Sequence, residues 1–137
     1  MFIDKRRVEF HQTDMAGIVH FSEFFRYLEA AEHAFFRSLG LSVAGRDGER
    51  LIGWPRVSCS FDYMKPLRFE DEFEVRLRIE KVGNSSLSLI GDIYKGDVLA
   101  ATGRSTSVCC GPSPSGGMQK ISIPEGIRGK LEAAASA

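Results

Sequence analysis

The 137-residue sequence predicts an α+β fold in which an antiparallel sheet wraps around one long helix. Two patterns carry this prediction. Apolar side chains recur at helical spacing from Phe21 to Leu39, and apolar and polar residues alternate along "EFEVRLRIE", residues 72–80. Short Gly-containing turns separate the remaining strands. A chain of this length is expected to form one domain over residues 1–137 without stabilising metals or disulfides.

The long helix is predicted over about residues 22–39. Ser22 is a suitable N-cap, Glu23 favours the positive end of the helix dipole, and Gly40 is a natural stop. Phenylalanines make its apolar face unusually broad. We therefore expect a large curved surface to cover that face.

About five strands are expected in the sheet. The predicted strands are "FIDKRRVEF" (2–10), "VSCSFDYMKPL" (57–67), "EFEVRLRIE" (72–80), "LSLIGDIY" (87–94) and "VLAATGRSTSVCC" (98–110). Residues 41–54 and the breaker-rich "GPSPSGG", residues 111–117, are predicted as loops. The tail after Pro124 has a helix-forming composition and is expected to fray. A small sheet on one helix leaves edges exposed, which favours a homodimer.

The charge balance, apolar runs, cysteines and histidines argue against several classes of protein. Lys plus Arg equals Asp plus Glu, at 18 each, which argues against a nucleic-acid-binding protein. No signal peptide or membrane-length apolar run is recognised, so we expect a cytoplasmic protein without a membrane span. Cys59, Cys109 and Cys110 are expected to be reduced thiols. The three histidines, His11, His20 and His33, lack a metal-binding spacing, so no metal is predicted.

One acid stands out in the segment "QTDMAGIVHFSEFF", residues 12–25. Asp14 lies in a turn containing Gly17, immediately before the aromatic-rich helix. A carboxylate is charged at neutral pH without a partner, so Asp14 can act as a nucleophile or as a base toward water. The alternative is a purely local role, because an Asp before a Gly turn often bonds the turn backbone.

The element order, together with "TDMAGIVHFSEFFRYLEAA", resembles the hotdog fold. More narrowly, the sequence resembles the 4-hydroxybenzoyl-CoA thioesterase family and the acyl-CoA thioesterases associated with the Tol-Pal system. The matching residues are Thr13, Asp14, Gly17, Val19 and Glu29. The segments "FDYMKPLRFEDEFEV" and "SVCC…KISIP" extend the resemblance over about residues 5–124. The chain departs from the family pattern at His20, where an aromatic residue is usual, and in "LEAAEHAF", where many relatives carry Arg after the helix acid.

The resemblance implies an acyl-CoA thioesterase that forms a homodimer or homotetramer. It implies that Asp14 is the nucleophile or base and that the backbone amide of Phe21, at the helix start, polarises the thioester carbonyl. Gly17 would let the turn tighten and the substrate approach. Glu29 is a rival catalytic acid, with an orienting or dimer-contact role as the alternative. No cofactor is expected, because coenzyme A is part of the substrate.

Several residues are candidates for substrate binding. The candidates for the acyl group, which is expected to be aromatic or of medium length, are Val19, His20, Trp54, Phe61 and Tyr63. The resemblance places phosphate contacts on the last strands, so Arg104 and Lys120 are predicted to bind the coenzyme A phosphates, with Lys65 and Arg68 as further candidates. For each aromatic residue the alternative is a core role, and for each cation it is a solvated surface charge.

Two other functions stay open at this point. A non-catalytic protein could use the same pocket to bind acyl-CoA or an acyl-carrier protein. A hotdog enzyme of different chemistry, such as a dehydratase, would need a His–acid pair, which the three histidines do not obviously provide.

Overall fold

The computed structural model describes residues 1–137 and contains nine strands and two α-helices. The strands are β1 (Phe2–Arg7), β2 (Gly45–Asp47), β3 (Arg50–Ile52), β4 (Arg56–Tyr63), β5 (Glu72–Val82), β6 (Ser86–Lys95), β7 (Val98–Val108), β8 (Cys110–Pro112) and β9 (Met118–Lys120). The helices are α1 (Glu23–Ser38) and α2 (Glu125–Ala135), and one 3-10 turn spans Phe10–Gln12.

Five strands form one antiparallel sheet in the order β1-β5-β6-β7-β4, which confirms the expected strand number. The alternation along β5 is also confirmed, because Phe73, Val75 and Leu77 are buried on the side that faces α1. Glycines let the helix and sheet approach each other. A side chain at Gly91 would begin 2.5 Å from the Leu28 Cδ1 atom of α1.

The predicted long helix is confirmed, but its N-terminus is built differently. Ser22 has helical backbone angles, φ −67° and ψ −25°, so its hydroxyl is not placed to cap the helix backbone. The Ser22 hydroxyl bonds His20 Nδ1 instead, at 2.7 Å. The predicted stop is confirmed, since Gly40 has a φ of +74° and the chain leaves the helix there.

Four predicted boundaries were wrong. The strand predicted over 57–67 ends at Tyr63, before Pro66. The first strand ends at Arg7, not residue 10, because a 3-10 turn begins at Phe10. Residues 41–54 contain the β2–β3 hairpin, whose three-residue strands are too short to show periodicity. The long final strand ends at Val108, and residues 111–117 belong largely to the β8–β9 hairpin and its turn.

The C-terminal tail is a packed helix rather than a frayed one. Leu131 of α2 is fully buried in the core. Arg128 donates hydrogen bonds to the carbonyl oxygens of Gly83 and Asn84, at 2.8 and 2.9 Å. These contacts fix α2 to the β5–β6 turn.

Strand β4 forms one edge of the sheet and carries a bulge near its start. The register with β7 shifts between Arg56 and Ser58. A bulge redirects the side chain at that point. Arg56 consequently lies on the face that packs against α1, where it reaches Glu32.

Neither helix is both long enough and apolar enough to cross a membrane.

The close approach of Leu28 to Gly91 leads to a prediction about stability. We expect Gly91→Ala to lower the free energy of unfolding by about 1–3 kcal/mol, because Leu28 is fully buried and cannot move aside. Gly129→Ala is the matched control, since nothing lies within 4 Å of a Cβ there and Ala is the better helix former. Urea denaturation of the two variants tests this, and equal stabilities would contradict the packing argument.

Candidate active site

The Asp14 turn is a closed backbone loop between Thr13 and Val19, which form an isolated antiparallel bridge. The Asp14 N–H donates to the Ile18 carbonyl at 2.9 Å, and the Gly17 N–H donates to the Asp14 carbonyl at 3.0 Å. Gly17 has a φ of +79°, a conformation that a side chain disfavours. The glycine is therefore required by the turn itself.

The two oxygens of the Asp14 carboxylate have different surroundings: one bonds the turn backbone and the other is unbonded. Its Oδ1 atom accepts the Ala16 N–H at 2.9 Å, so the local turn role considered from the sequence is real. Its Oδ2 atom has no hydrogen bond within the chain. The turn bond thus fixes the orientation of the carboxylate and leaves one oxygen available.

Backbone bonds hold this turn in place on the sheet and helix. The Val19 N–H donates to the Leu67 carbonyl at 2.8 Å, and the His20 N–H donates to the Gln12 carbonyl at 2.9 Å. The Gln12 side chain accepts the Tyr27 hydroxyl of α1 at 2.7 Å. Burial, assisted by the charge of Glu23, raises the pKa of Tyr27, so this hydroxyl stays a donor.

The helix start leaves one backbone donor free. The Glu23 N–H donates to the His20 carbonyl at 2.9 Å, and the Ser22 N–H reaches His20 Nδ1 at 3.3 Å. The Phe21 N–H has no acceptor within the chain. It lies at the positive end of α1, where an incoming oxygen would be favoured.

An open cavity of about 460 Å³ lies beside this turn, and we call it the Asp14 cavity. It is lined by Asp14, Ile18, Val19, Phe21, Phe24, Tyr63, Met64, Lys65 and Pro66. Four of the predicted site residues therefore meet here: Asp14, Val19, Phe21 and Tyr63. The Tyr63 hydroxyl donates to the Phe21 carbonyl at 3.0 Å, which ties the end of β4 to the helix start.

Two predicted site residues lie in a second cavity of about 210 Å³, which we call the Arg56 cavity. It is lined by Glu29, Glu32, His33, Phe36, Val43, Trp54, Arg56, Leu87, Leu89 and Ser107. Glu29 and Trp54 are the predicted residues found there. The two cavities share no lining residue, so within one chain Glu29 is not beside Asp14.

The remaining predicted binding residues lie elsewhere in the chain. His20 is exposed and its ring is bonded at the helix start, so it does not line the Asp14 cavity. Phe61 packs between Phe24 and Phe25, with ring centroids 5.9 and 5.1 Å away, and acts as part of the core.

The predicted phosphate-binding cations also lie away from the Asp14 cavity. Arg104 lies on the opposite face of the sheet, 3.1 Å from Glu80, because neighbouring residues of β7 alternate between faces. Lys120 is exposed on β9 and lines neither cavity. Lys65, a further candidate from the sequence, is the cation that lines the Asp14 cavity.

Sequence analysis missed a buried ion pair. Glu32, for which no functional role was predicted, is buried and accepts a hydrogen bond from Arg56 Nη1 at 2.9 Å, and the same nitrogen contacts Ser105 Oγ. Burial alone lowers the pKa of Arg56, but the hydrogen bond and charge of Glu32 outweigh it and raise the pKa. The bulge that supplies Arg56 left no sequence pattern that could have revealed this pair.

The sequence matches a known protein family over most of its length. The model of the Thioesterase-like superfamily matches residues 8–131. The chain belongs to this family. The prediction of an enzyme that hydrolyses thioesters is thereby confirmed at the family level.

Individual relatives agree with this assignment. A 1,4-dihydroxy-2-naphthoyl-CoA hydrolase from a Synechococcus species is 26% identical over 133 residues, covering 93% of this chain and 87% of that protein. A crystal structure of an Aquifex aeolicus protein superposes with a TM-score of 0.86 at 31% identity, covering 96% and 99% of the two chains. A gentisyl-coenzyme A thioesterase gives 0.80 at 26% identity, covering 95% and 98%. The predicted hotdog fold is confirmed.

The buried ion pair generates a second stability prediction. We expect Glu32→Leu to lower the free energy of unfolding by about 3 kcal/mol, because Arg56 is left half-buried without its main partner. The double variant Glu32→Leu with Arg56→Met should be more stable than Glu32→Leu alone, since no unpaired charge remains. A double-mutant cycle in urea measures this coupling, and strictly additive effects would refute it.

Proposed function

We propose that this protein is an acyl-CoA thioesterase that uses Asp14 as its nucleophile or general base. One observation carries the proposal. A carboxylate oxygen of Asp14 and the backbone N–H of Phe21 are both without partners, and both residues line the same cavity. Thioester hydrolysis needs these two elements, a base or nucleophile and a donor for the developing oxyanion.

The chemistry follows two routes that share the same atoms. In the nucleophilic route the Asp14 carboxylate attacks the thioester carbon, the C–S bond breaks, coenzyme A leaves as the thiolate, and water then hydrolyses the mixed anhydride. In the general-base route Asp14 takes a proton from water as the water attacks the same carbon, the C–S bond then breaks, and the departing thiolate takes up the proton to give free coenzyme A and the acid. In both routes the Phe21 N–H donates to the carbonyl oxygen as it becomes negative.

The acyl group is proposed to be aromatic and hydroxylated. The relatives named for naphthoyl-CoA and gentisyl-CoA chemistry support this choice, as does the aromatic lining that Phe21, Phe24 and Tyr63 give the Asp14 cavity. We retain the narrower assignment to the 4-hydroxybenzoyl-CoA and Tol-Pal-associated branch as part of the proposal, on the match at Asp14 and Gly17. A cytoplasmic location is proposed with it, in keeping with three free cysteines.

We propose a homodimer formed through β4. This edge strand has eight residues, most of them exposed, and it contains no Pro or Lys to block pairing. Val57 is 61% exposed beside the Arg56 bulge. Antiparallel pairing of two β4 strands about a two-fold axis would satisfy both edges at once. A tetramer would pair two such dimers.

The first functional test is Asp14→Asn. The amide is neither a base nor a good nucleophile, yet it keeps an oxygen that can accept the Ala16 N–H. We expect kcat to fall roughly 10²–10⁴-fold. Thiol release from a panel of aromatic and aliphatic acyl-CoAs measures this.

Asp97→Asn is the matched control for that test, because Asp97 is an exposed carboxylate in the β6–β7 turn and forms no ion pair. It should hydrolyse the panel at the wild-type rate. Equal rates for wild type and Asp14→Asn would remove Asp14 from the mechanism. Thermal stabilisation by acyl-CoA without turnover by the wild type would favour the alternative of a non-catalytic binding protein.

The variant Val57→Lys tests whether the proposed dimer forms through β4. Lysine at this exposed position leaves the fold intact, but it places like charges on both copies of the edge. Analytical ultracentrifugation should give about twice the 15.2 kDa chain mass for the wild type and a shift toward the single-chain mass for the variant, with unchanged circular dichroism. A wild-type monomer, or a variant that dimerises as tightly as wild type, would exclude the β4 interface.

A further inference from the structure

A histidine side chain caps the start of α1. His20 Nδ1 lies 2.7 Å from the Ser22 hydroxyl and 3.3 Å from the Ser22 N–H. A backbone N–H can only donate, so Nδ1 is the acceptor in both contacts. The ring proton then lies on Nε2, and the Ser22 hydroxyl donates. His20 therefore has the capping role that was predicted for Ser22.

The contact from His20 to Ser22 has the form of an Asx turn, in which an Asp or Asn side chain accepts the N–H two residues ahead. Imidazole Nδ1 takes the place of the carboxylate or amide oxygen, because both atoms are attached to Cγ. The ring of atoms that this contact closes contains the peptide unit between His20 and Phe21. The Phe21 N–H belongs to that unit, so the contact restricts the direction in which this N–H points.

The other backbone polar groups of His20 and Phe21 all have partners. The His20 N–H donates to the Gln12 carbonyl at 2.9 Å, and the His20 carbonyl accepts the Glu23 N–H at 2.9 Å. The Phe21 carbonyl accepts the Tyr63 hydroxyl at 3.0 Å. The ring of His20 also packs on that of Phe21, with centroids 4.5 Å apart. The segment is thus held on every side, and the Phe21 N–H is its one free donor.

We infer that His20 is a positioning residue whose Nδ1 atom fixes the Phe21 N–H in the direction needed to bind the oxyanion. The inference rests on the proposed thioesterase function and deepens it. His20 acts through Phe21, since it does not itself line the Asp14 cavity. The resembled family usually has an aromatic residue at this position, and a phenyl ring has no acceptor to offer Ser22. The role therefore belongs to this chain's own pairing of His20 with Ser22.

A fixed donor is more effective than a mobile one. A donor that is already oriented needs no reorganisation when the carbonyl oxygen becomes negative. The bond to that oxygen strengthens in the transition state, so a loss of orientation lowers kcat and leaves KM nearly unchanged. A cap with a structural role alone would change the melting temperature and leave the kcat of the folded enzyme as it is.

Two amide variants of His20 test this role. Asn can place its Oδ1 atom where Nδ1 lies and accept the Ser22 N–H, whereas the oxygen of Gln is one methylene further out and cannot close the same ring. We expect kcat to fall about fivefold or more in His20→Gln, with KM within about twofold of wild type. In His20→Asn, kcat should stay within about twofold of wild type. Each rate is measured on the acyl-CoA that wild type hydrolyses fastest, well below the melting temperature of every variant.

His11→Gln is the matched control for these variants. It makes the same exchange at another exposed histidine, whose Nδ1 atom lies 3.5 Å from Glu9, and it should leave kcat unchanged. A wild-type kcat in His20→Gln overturns the inference. An equal loss of kcat in His20→Asn and His20→Gln overturns it as well, because only one of them can close the ring.

Nuclear magnetic resonance observes the capping contact without turnover. Long-range 1H–15N spectra distinguish a protonated from an unprotonated ring nitrogen, and the His20 signals are those missing from His20→Asn. At about pH 8, where an ordinary imidazole is neutral, we expect an unprotonated Nδ1 in wild type. The Ser22 amide should exchange with solvent about tenfold more slowly in wild type and His20→Asn than in His20→Gln. A proton on Nδ1, or equal exchange in all three proteins, overturns the inference.

The two measurements separate this inference from the proposed function. If wild type hydrolyses thioesters and Asp14→Asn loses that activity while His20→Gln keeps it, only the role of His20 fails. If wild type hydrolyses no acyl-CoA, the proposed function fails, and the catalytic part of this inference fails with it. The exchange of the Ser22 amide then still decides whether His20 caps α1.

Discussion

The hydrogen bond from the Val19 N–H to the Leu67 carbonyl, 2.8 Å long, is the constraint on which the site depends. It joins the Asp14 turn to the connection between β4 and β5. Without it, nothing in the turn's own backbone bonds would fix its position relative to the sheet. The bond also brings Met64 and Lys65 to the mouth of the cavity that Asp14 lines. This backbone contact, together with the Tyr63–Phe21 hydrogen bond, relates the acid to the surface on which a substrate would lie.

Much of the fold was predictable because the hydrophobic pattern of a long segment specifies which of its faces is buried. The alternation along β5 and the helical spacing of α1 each specify which face is buried, and the structure follows both. The hairpin of β2 and β3 was missed because three-residue strands contain too few alternations to reveal a period. Helix α2 was underestimated for another reason. The contacts of Arg128 and Leu131 that stabilise it come from distant parts of the chain.

In the candidate site, too, some residues are positioned by local structure and others by contacts from distant parts of the chain. The proximity of Asp14, Gly17 and Phe21 was predictable, because a turn followed by a helix start is a local arrangement. The burial of Glu32 was missed because its partner Arg56 is 24 residues away and faces the helix only through a bulge. An acidic residue on a helix is normally expected to be exposed, and its burial becomes evident only once the element that packs against it is known. Arg104 shows the converse error, since strand alternation places it on the far face of the sheet.

The two helix acids, Glu29 and Glu32, limit how the chain could rearrange around its candidate site. Glu29, predicted as a rival catalytic acid or as an orienting or dimer-contact residue, lies in a separate cavity from Asp14. A rearrangement of α1 against β4 would break the Glu32–Arg56 pair, whose carboxylate is buried and whose guanidinium is partly buried. Symmetric pairing of β4 needs no rearrangement, because it moves whole subunits and leaves every internal contact intact. The dimer proposed through β4 would therefore require no change within either chain.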